Sequence, residues 1–434
     1  MAVSGMFYPS DKNEIVKLIN EYELNIKNDT SYISRLVIAP HAGYKYSGFG
    51  AYYALKHLGG KNIFIFAPAH KVYVEGIAIS SYDSFETPFG KVQVNIEIIQ
   101  EIADKFYANY CDEAFETEHA IEVQLPFLKY LKDDFNIIPI LVGNCDPRVI
   151  YEIISYYYEN SNNSFVISTD LTHFLTDEKA KKIDNITAQM IESNKSENFN
   201  REQACNASAI CGTIEFSKSK NFSFIRLDMR NSSLVTKDTN NVVGYGSWML
   251  YEGEKNNFIK KYYSSLAKEI CLNSIKTRGN LSNIHCPAVF NEIGASFVTL
   301  EKNDNLRGCI GSIVAYRELI DDLITNACMS AYKDPRFQPL KESEIGEIEI
   351  KISLLSEPVE IDFTDEEDLL EKIVQNKDGI IISDLGKKAV YLPSVWEQLP
   401  DKRIFLYSLK QKAGLSPEHF SNSFKAYRFY TEYI

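Results

Sequence analysis

The sequence predicts an α/β fold: a doubly wound, mostly parallel sheet in the N-terminal part, followed by a smaller α+β domain. The chain has 434 residues, which is more than one domain of typical size holds. Short apolar runs alternate with helical patterns over roughly the first 250 residues, as in βαβ units. A polar stretch at 253-GEKNN ends this pattern. We therefore divide the chain into domains 1–254 and 255–434.

The strands predicted in domain 1–254 are rich in Val, Ile and Phe and show little polar alternation, as expected of strands buried on both faces. They are RLVIAP (35–40), NIFIFAP (62–68), GIAISS (76–81), FNIIPILVG (135–143), SFVISTD (164–170) and VVGYGSWML (242–250). The helical patterns between them are AYYALKHL (51–58), EHAIEVQLPFLKYL (118–131) and EKAKKIDNITAQMIE (178–192).

Domain 255–434 has a mixed pattern that predicts an α+β arrangement. Its predicted helices lie at 258–276, at 316–333 and near residue 366. Its predicted strands are AVFNEIGASFVTL (288–300), EIEIKISLL (347–355), GIIISD (379–384), KAVYLP (388–393) and a C-terminal segment that begins at residue 425. The glycine-rich LRGCIGS (306–312) is predicted to form a turn.

Composition excludes several classes of protein. The net charge of −13 argues against a general nucleic-acid or anionic-membrane binder, because such proteins neutralise phosphates with Lys and Arg. The eight cysteines are scattered without a CxxC pair, unlike a disulfide framework or a zinc ribbon. The N-terminal MAVSGMFYPSDKNE lacks the apolar segment of a signal peptide, and no apolar run reaches ~18 residues. These features predict a cytoplasmic protein with no nucleic-acid or membrane partner.

Three histidines follow predicted buried strands at the point where each strand ends. They are His41, His70 and His173, and Asp170 lies beside the third. The carboxyl ends of strands in an open α/β sheet meet at one crevice, where ligands bind. Neutral imidazoles are the commonest metal ligands, so the pattern favours a metal site. Alternatively, each histidine caps its strand by bonding a nearby carbonyl group.

Two further segments supply residues that fit the same crevice. Glu118 lies near the start of the helical pattern in ETEHAIEVQLPFL (116–128), where it could face the crevice. Alternatively, this segment is an amphipathic helix whose acidic N-terminus is solvated. Cys211 precedes Gly212 in AICGTIEF (209–216) at a predicted helix start. Backbone amides there favour the thiolate, which suits a metal ligand or a nucleophile. Simple core packing of this cysteine is the alternative.

The segments APHAGYKYSG (39–48), APAH (67–70), ETEHAIEVQLPFL, STDLTHF (168–174) and ICG (210–212) together resemble the Memo family. That family is related in fold to class III extradiol dioxygenases. The resemblance implies a metal site at His41, His70 and Cys211. It also implies acid/base candidates at Asp170 and His173, with Glu118 and His119 nearby. The implied cofactor is one transition metal, with iron favoured and zinc or copper also compatible with these ligand types.

The segments LRGCIGS, AYKDPRFQPL (331–340) and EIKISLLSEP (349–358) resemble the AMMECR family. The two resemblances together imply a fusion protein of the AmmeMemoRadiSam system, which includes a radical S-adenosylmethionine (SAM) enzyme. That enzyme would be a separate partner, because this chain has no CxxxCxxC motif. Arg307, Cys309 and Arg336 are candidates for substrate or partner binding, since two guanidinium groups could hold a carboxylate or phosphate. Alternatively, the cysteine packs inward and an arginine pairs with an acid such as Asp334.

The leading functional hypothesis is a metal-dependent, dioxygenase-like enzyme that acts on a small molecule. In it, His173 is the general acid/base and Asp170 orients it. A zinc hydrolase with the same ligands, with Glu118 or His173 as base, is the first alternative. A non-enzymatic module that binds an anionic group of a partner is the second. The third is an enzyme in which Cys211 is a nucleophile activated by His41 or His70.

Overall fold

The structure is a computed structural model that describes residues 1–281 and 285–434. The chain divides into two compact units. The first comprises Met1–Lys255 and His285–Val289, and the second comprises Asn256–Ile284 and Phe290–Ile434. The short segment 285–289 therefore belongs to the first unit, although the sequence analysis assigned it to the second domain. Within the described ranges, no helix is both long enough and apolar enough to cross a membrane.

The first unit contains one large sheet with helices packed around it. Its strands are β1 (Leu36–Ala39), β2 (Asn62–Pro68), β3 (Ile77–Ile79), β4 (Ser84–Thr87), β5 (Gly90–Val94), β6 (Asn109–Tyr110), β7 (Asn136–Val142), β8 (Asn163–Ser168), β9 (His173–Leu175), β10 (Ser223–Asn231) and β11 (Val242–Tyr251). Its helices are α1 (Lys12–Asn25), α2 (Tyr44–Lys56), α3 (Ile96–Phe106), α4 (Asp112–Glu116), α5 (His119–Glu122), α6 (Leu125–Leu131), α7 (Pro147–Tyr158), α8 (Asp177–Glu192), α9 (Ala207–Lys220) and α10 (Ser233–Thr236).

The main path of this 11-stranded sheet has the order β10-β11-β1-β8-β2-β7-β3-β6. Its centre is parallel: β1 and β2 both run parallel to β8, and β2 runs parallel to β7. The outer strands β11 and β3 pair antiparallel to their inner neighbours. The predicted α/β fold with a mostly parallel sheet is thus confirmed. Because Ala39 pairs with Ser168, the segments that follow β1 and β8 emerge at the same edge of the sheet.

The central strands form because their residues can be buried on both faces. Every residue of β1 and β8 is buried, and so is every residue of β2 after Asn62. The predicted helix over 118–131 is instead divided into α5 and α6, with Pro126 in the first turn of α6. A proline has no N–H to donate and clashes with the preceding turn, so a continuous helix through this position is disfavoured.

The second unit is α+β, as predicted, and its sheets are antiparallel. Its strands are β12 (Ile293–Lys302), β13 (Asn305–Gly311), β14 (Arg317–Glu318), β15 (Ile348–Leu355), β16 (Val359–Glu360), β17 (Gly379–Asp384), β18 (Lys387–Tyr391), β19 (Lys425–Phe429) and β20 (Thr431–Tyr433). Its helices are α11 (Lys255–Thr277), α12 (Leu319–Tyr332), α13 (Glu366–Lys372) and α14 (Lys402–Lys412), with 3₁₀ helices at Glu342–Glu347 and Pro393–Glu397. One sheet has the order β13-β12-β15-β20 and the other has the order β16-β19-β17-β18.

The segment predicted as a glycine-rich turn, 306–312, lies mostly in strand β13. It pairs antiparallel with β12, and Thr299 stands opposite Cys309. Gly308 is needed for packing rather than for a turn, because a Cβ atom there would lie 2.1 Å from the carbonyl oxygen of Ser330 in α12. The glycines of this motif therefore allow close approach of a helix to a strand.

Candidate metal centre

His41 follows β1 and is buried at the edge of the sheet. Its backbone N–H donates to Oδ1 of Asp170 at 2.8 Å. Its ring atom Nδ1 lies 3.0 Å from Oγ of Ser168, the last residue of β8. The backbone and the ring of this histidine are therefore both held by the neighbouring parallel strand and the loop that follows it.

His70 follows β2 and is held by Glu118, the N-cap of α5. The His70 backbone N–H donates to Oε2 of Glu118 at 2.8 Å, and ring atom Nδ1 lies 2.9 Å from Oε1. Oε1 also accepts from the Ala120 backbone N–H at 3.0 Å. Because an ionised carboxylate can only accept, Nδ1 carries the ring proton and Nε2 remains available as a ligand.

Cys205 is the third member of the site. Its Sγ lies 3.4 Å from Nε2 of His41 and accepts from the Asp170 backbone N–H at 3.2 Å. The next residue, Asn206, is the N-cap of α9. The side-chain amide of Asn206 donates to the carbonyl oxygens of Phe66 and Ser168, each at 3.1 Å. These bonds fix the cysteine loop to strands β2 and β8.

His41, His70 and Cys205 each offer one ligand atom, and these atoms all lie within 4.8 Å of one another. Two imidazoles and a thiolate suit a first-row transition metal such as iron, zinc or copper. A second group of His70, Glu118 and His119 meets the same distance criterion. Glu118 is already occupied by hydrogen bonds from His70 and Ala120, so we assign it to holding His70 rather than to the ligand set.

The sequence analysis placed the third ligand at Cys211, but the structure does not include Cys211 in the candidate group with the two histidines. Cys211 lies inside α9, and its Sγ is 4.0 Å from the carbonyl oxygen of Ser196. It therefore packs against the chain away from the two histidines, and Cys205 stands beside them instead. The sequence does contain an indication of this boundary, because Asn206 is a residue type favoured at the N-cap of a helix. A helix that starts there puts Cys205 in the loop and Cys211 in the helix interior.

Two of the three donor groups, His41 and Cys205, are kept neutral by burial when no metal is bound. Burial lowers the pKa of His41 well below its ordinary value, and the nearby charge of His70 lowers it further. Burial raises the pKa of the Cys205 thiol to about 12. Metal binding at Cys205 must therefore release a proton. Burial also opposes ionisation of Glu118, yet the hydrogen bonds from His70 lower the pKa of this carboxyl to about 2, so it is anionic.

Asp170 lies on the loop between β8 and β9, and His173 is the first residue of β9. Asp170 is buried, which raises the pKa of its carboxyl group, and its Oδ2 is 3.9 Å from Nε2 of His41. Nδ1 of His173 lies 2.9 Å from the carbonyl oxygen of Leu171. Since a carbonyl only accepts, Nδ1 carries the proton and Nε2 of His173 is free for proton exchange.

His119 completes the polar surroundings of the site. Its ring stacks on that of His70 with 4.9 Å between centroids, and it contacts the ring of Phe7 at 4.6 Å. Burial, together with the charge of His41, lowers the pKa of His119 to about 4. Phe7 also lines a cavity of about 520 Å³. Other lining residues are Tyr44, Lys45, Tyr46, Phe49 and Arg230.

The second-unit candidates do not form the predicted anion clamp. Arg307 makes a bidentate pair with Glu344, at 3.2 and 3.1 Å. Arg336 pairs with Asp334 and also donates to the carbonyl oxygen of Cys309. The Cys309 thiol accepts from the Thr299 hydroxyl at 3.2 Å. Each guanidinium group is therefore bound to an acid of its own unit, which matches the structural alternative stated for these residues.

The fold and the site define a class: an α/β protein whose sheet carries a candidate His/His/Cys metal centre at the carboxyl ends of its parallel strands. The chain belongs to the Memo-like protein family, whose family model matches residues 1–249, more than half of the chain. Residues 264–434 match the AMMECR1 family model. Both resemblances seen in the sequence are thus confirmed, and the two domains are joined in one chain.

Two relatives of known sequence and one solved structure each match part of the chain. A MEMO1 family protein of Archaeoglobus fulgidus is 34% identical over 255 residues, which cover 56% of this chain and 95% of the relative. A MEMO1 family protein of Aquifex aeolicus is 31% identical over 256 residues, covering 56% and 96%. The crystal structure of an uncharacterized protein from Pyrococcus horikoshii is 28% identical with a TM-score of 0.36, and covers 39% of this chain and 88% of that one.

Proposed function

We propose that the first unit is a metal-dependent enzyme that performs dioxygenase-like redox chemistry on a small molecule. The observation that carries this proposal is the convergence of His41, His70 and Cys205 to within 4.8 Å. Structural zinc sites are usually closed by four protein ligands, whereas catalytic sites combine three with an open position. The group found among the described residues has three members, which supports a catalytic role.

The donor set fits one transition metal, and we favour iron. When bound, iron would supply a Lewis acid and a redox centre. The chain itself contributes the orientation of the ligands. Glu118 keeps Nε2 of His70 unprotonated, and the Asn206 side chain holds the Cys205 loop against β2 and β8.

We assign His173 the role of general acid/base. Its Nδ1 proton is held by the Leu171 carbonyl, so Nε2 can exchange a proton with a substrate hydroxyl group. The Leu171 carbonyl, rather than Asp170, fixes the orientation of this ring, and the nearby Asp170 carboxyl group interacts with its charged form electrostatically. His119 is a second candidate, because a pKa of about 4 keeps its ring neutral and able to accept a proton near pH 7.

The cavity beside Phe7 supports a small organic substrate. Its volume of about 520 Å³ lies in the range of roughly 300–1,000 Å³ that is usual for small-molecule sites. Aromatic walls from Phe7, Tyr46 and Phe49 favour a flat or apolar substrate, such as a phenolic ring. Phe7 lines the cavity and its ring also contacts that of His119, so a single side chain links the cavity to the site.

A zinc hydrolase is the second candidate, and one observation favours it. A thiolate occupies the place of the carboxylate found in the facial triad of non-haem iron oxygenases. Cysteine combined with histidine is an established ligand set for catalytic zinc. In this case His173 would be the base that acts on a water molecule.

Metal analysis of protein purified without oxygen tests the proposal. We expect about one iron atom per chain, and dioxygen consumption when a catechol is added to the iron-loaded protein. The His41→Ala variant is the control and should show neither property. A protein that binds zinc alone and hydrolyses an activated ester would support the second candidate. A protein that binds no metal under these conditions would contradict both.

We also propose a cytoplasmic protein that works with a separate radical SAM enzyme. The support is the joining of Memo-like and AMMECR1 domains in one chain and the scattered arrangement of its eight cysteines without a CxxC pair, which suits a reducing compartment. Anaerobic co-purification of a tagged chain with an iron–sulfur protein tests the partnership. Failure to recover such a protein would count against it.

A further inference from the structure

We propose that Ser168 and Gln124 are positioning residues that fix the ring tautomer of His41, so that its Nε2 is the atom presented to the metal. This inference rests on the proposed metal site. Neither residue was singled out by the sequence analysis as functional. Both side chains are completely buried. Among the described residues, Ser168 is the hydrogen-bond partner of His41 Nδ1, and Gln124 in turn donates a hydrogen bond to Ser168.

The tautomer follows from the hydrogen bonds of the Ser168 hydroxyl group. Its Oγ lies 2.7 Å from the carbonyl oxygen of Ala120, which can only accept, so the hydroxyl proton is donated there. Nε2 of Gln124, 3.1 Å away, can only donate to Oγ. The hydroxyl has a single proton, which is already used. The remaining partner, Nδ1 of His41 at 3.0 Å, must therefore donate its own proton.

Gln124 holds this arrangement in place. The same amide nitrogen also donates to the carbonyl oxygen of Pro40 at 2.9 Å. Because Pro40 directly precedes His41, one side chain fixes both the backbone entering the histidine and the hydroxyl behind its ring. The reversed amide would set two acceptors, Oε1 and the Pro40 oxygen, against each other. The orientation of Gln124 is thus determined by its surroundings.

With the proton on Nδ1, the lone pair of Nε2 faces Cys205, whose Sγ is 3.4 Å away. Metal ligation needs this neutral, unprotonated nitrogen. The opposite tautomer would put a proton at the ligand position and leave Nδ1 without a proton to donate to Ser168. His41 is therefore oriented by a neutral hydroxyl group, whereas His70 is oriented by the anionic Glu118.

The tautomer can be read directly in the metal-free protein. In chain labelled with ¹⁵N-histidine, two-bond ¹⁵N–¹H spectra at pH 8 should show His41 protonated on Nδ1, with the signal identified by its loss in His41→Asn. The Ser168→Ala variant should shift this ring toward a mixture of tautomers. A wild-type His41 protonated on Nε2 would overturn the proposal, whatever the metal content of the protein.

Cobalt affinity, measured by chelator competition, provides the second readout. Loss of an outer partner of a ligating histidine typically weakens metal binding by about 10- to 100-fold, and we expect this for Ser168→Ala. Ser164 is the matched control: it lies on the same strand, is completely buried, and its hydroxyl has no hydrogen-bond partner among the residues that the structure describes. Ser164→Ala should bind cobalt like the wild type.

The outcomes separate the two proposals. If the wild type binds cobalt and Ser168→Ala binds it equally well, the positioning role is wrong and the metal site stands. If the wild type binds no cobalt while His41 is protonated on Nδ1, the proposed metal function fails, and with it the part of this inference that concerns the metal. Should Ser168→Ala not fold, Gln124→Met provides the same comparison, with weaker binding expected.

Discussion

The candidate metal centre of the first unit and the arginines Arg307 and Arg336 of the second unit both place polar side chains beside strands. The two regions differ in which polar atoms remain available to a ligand. At the metal centre, hydrogen bonds use the Nδ1 atoms of His41 and His70, and both Nε2 atoms point away from these partners. In the second unit, Arg307 and Arg336 each direct the guanidinium group at a carboxylate. Motif residues thus indicate a binding site only when their ligand atoms are not already used.

The two regions also differ in how charge is treated. At the candidate metal centre, burial keeps His41, His119 and the Cys205 thiol neutral. The folded chain therefore loses stability at any pH at which these groups would be charged in the unfolded chain. The second-unit pairs Arg307–Glu344 and Arg336–Asp334 join opposite charges, which stabilises the folded chain. Substitutions should therefore affect ligand binding in the first region and folding in the second.

The largest effect on stability is expected from pH acting on the first region. The pKa of His119 is lowered from 6.5 to about 4, first by burial and then by the charge of His41. The unfolded chain therefore binds more protons than the folded chain between these two values. For the metal-free protein, the free energy of unfolding should be highest above pH 6.5 and should fall as the pH decreases to 4, by up to about 3 kcal/mol from this residue.

Urea unfolding at several pH values measures this effect. The chain has two tryptophans, and a Trp396→Phe background leaves Trp248, buried in the first unit, as the fluorescent reporter. His119→Gln, which cannot be protonated, should flatten the pH dependence between 6.5 and 4. Equal slopes in the two proteins would show that His119 is not held neutral, and would weaken the contrast between the two regions.

A smaller effect is expected from Arg307→Ala in the second region. The Arg307 and Glu344 side chains are each only 16% exposed, and losing a bidentate, partly buried pair should cost about 1–2 kcal/mol. The readout is urea unfolding in a Trp248→Phe background, so that Trp396 reports on the second unit. Arg403→Ala is the matched control, because its pair with Glu367 is solvent-exposed and should contribute little.

Unchanged stability of Arg307→Ala, combined with a loss of partner or substrate binding, would restore the binding role that the motif first suggested. A loss of stability without any change in activity would confirm the structural pair. The comparison with Arg403→Ala separates a specific effect of the buried pair from the general effect of removing one positive charge.

Much of the fold could be predicted from the sequence because buried parallel strands are apolar along their whole length. That pattern located β1, β2, β7 and β8, and the residues that follow their ends located His41 and His70. Strand β10, SFIRLDMRN, was missed because polar residues interrupt its apolar pattern. The motif around Gly308 was interpreted as a turn because only the structure shows that α12 packs against this position.

The remaining site residues depend on contacts that sequence periodicity does not contain. Cys205 and Cys211 are both cysteines near the start of α9, and they differ in which side of the helix boundary they occupy. Ser168 and Gln124 look like ordinary polar residues of a strand and a helix. Their roles follow from three hydrogen bonds that join β8, α5 and the end of β1.

The most direct test of the account is the metal content of Cys205→Ala and Cys211→Ala, each purified without oxygen beside the wild type. Each variant removes one thiol group, from just before the start of α9 in one case and from inside α9 in the other. Each variant therefore serves as the control for the other. We predict that Cys205→Ala loses stoichiometric metal and that Cys211→Ala retains it. Retention by Cys205→Ala with loss by Cys211→Ala would contradict the His41, His70 and Cys205 centre.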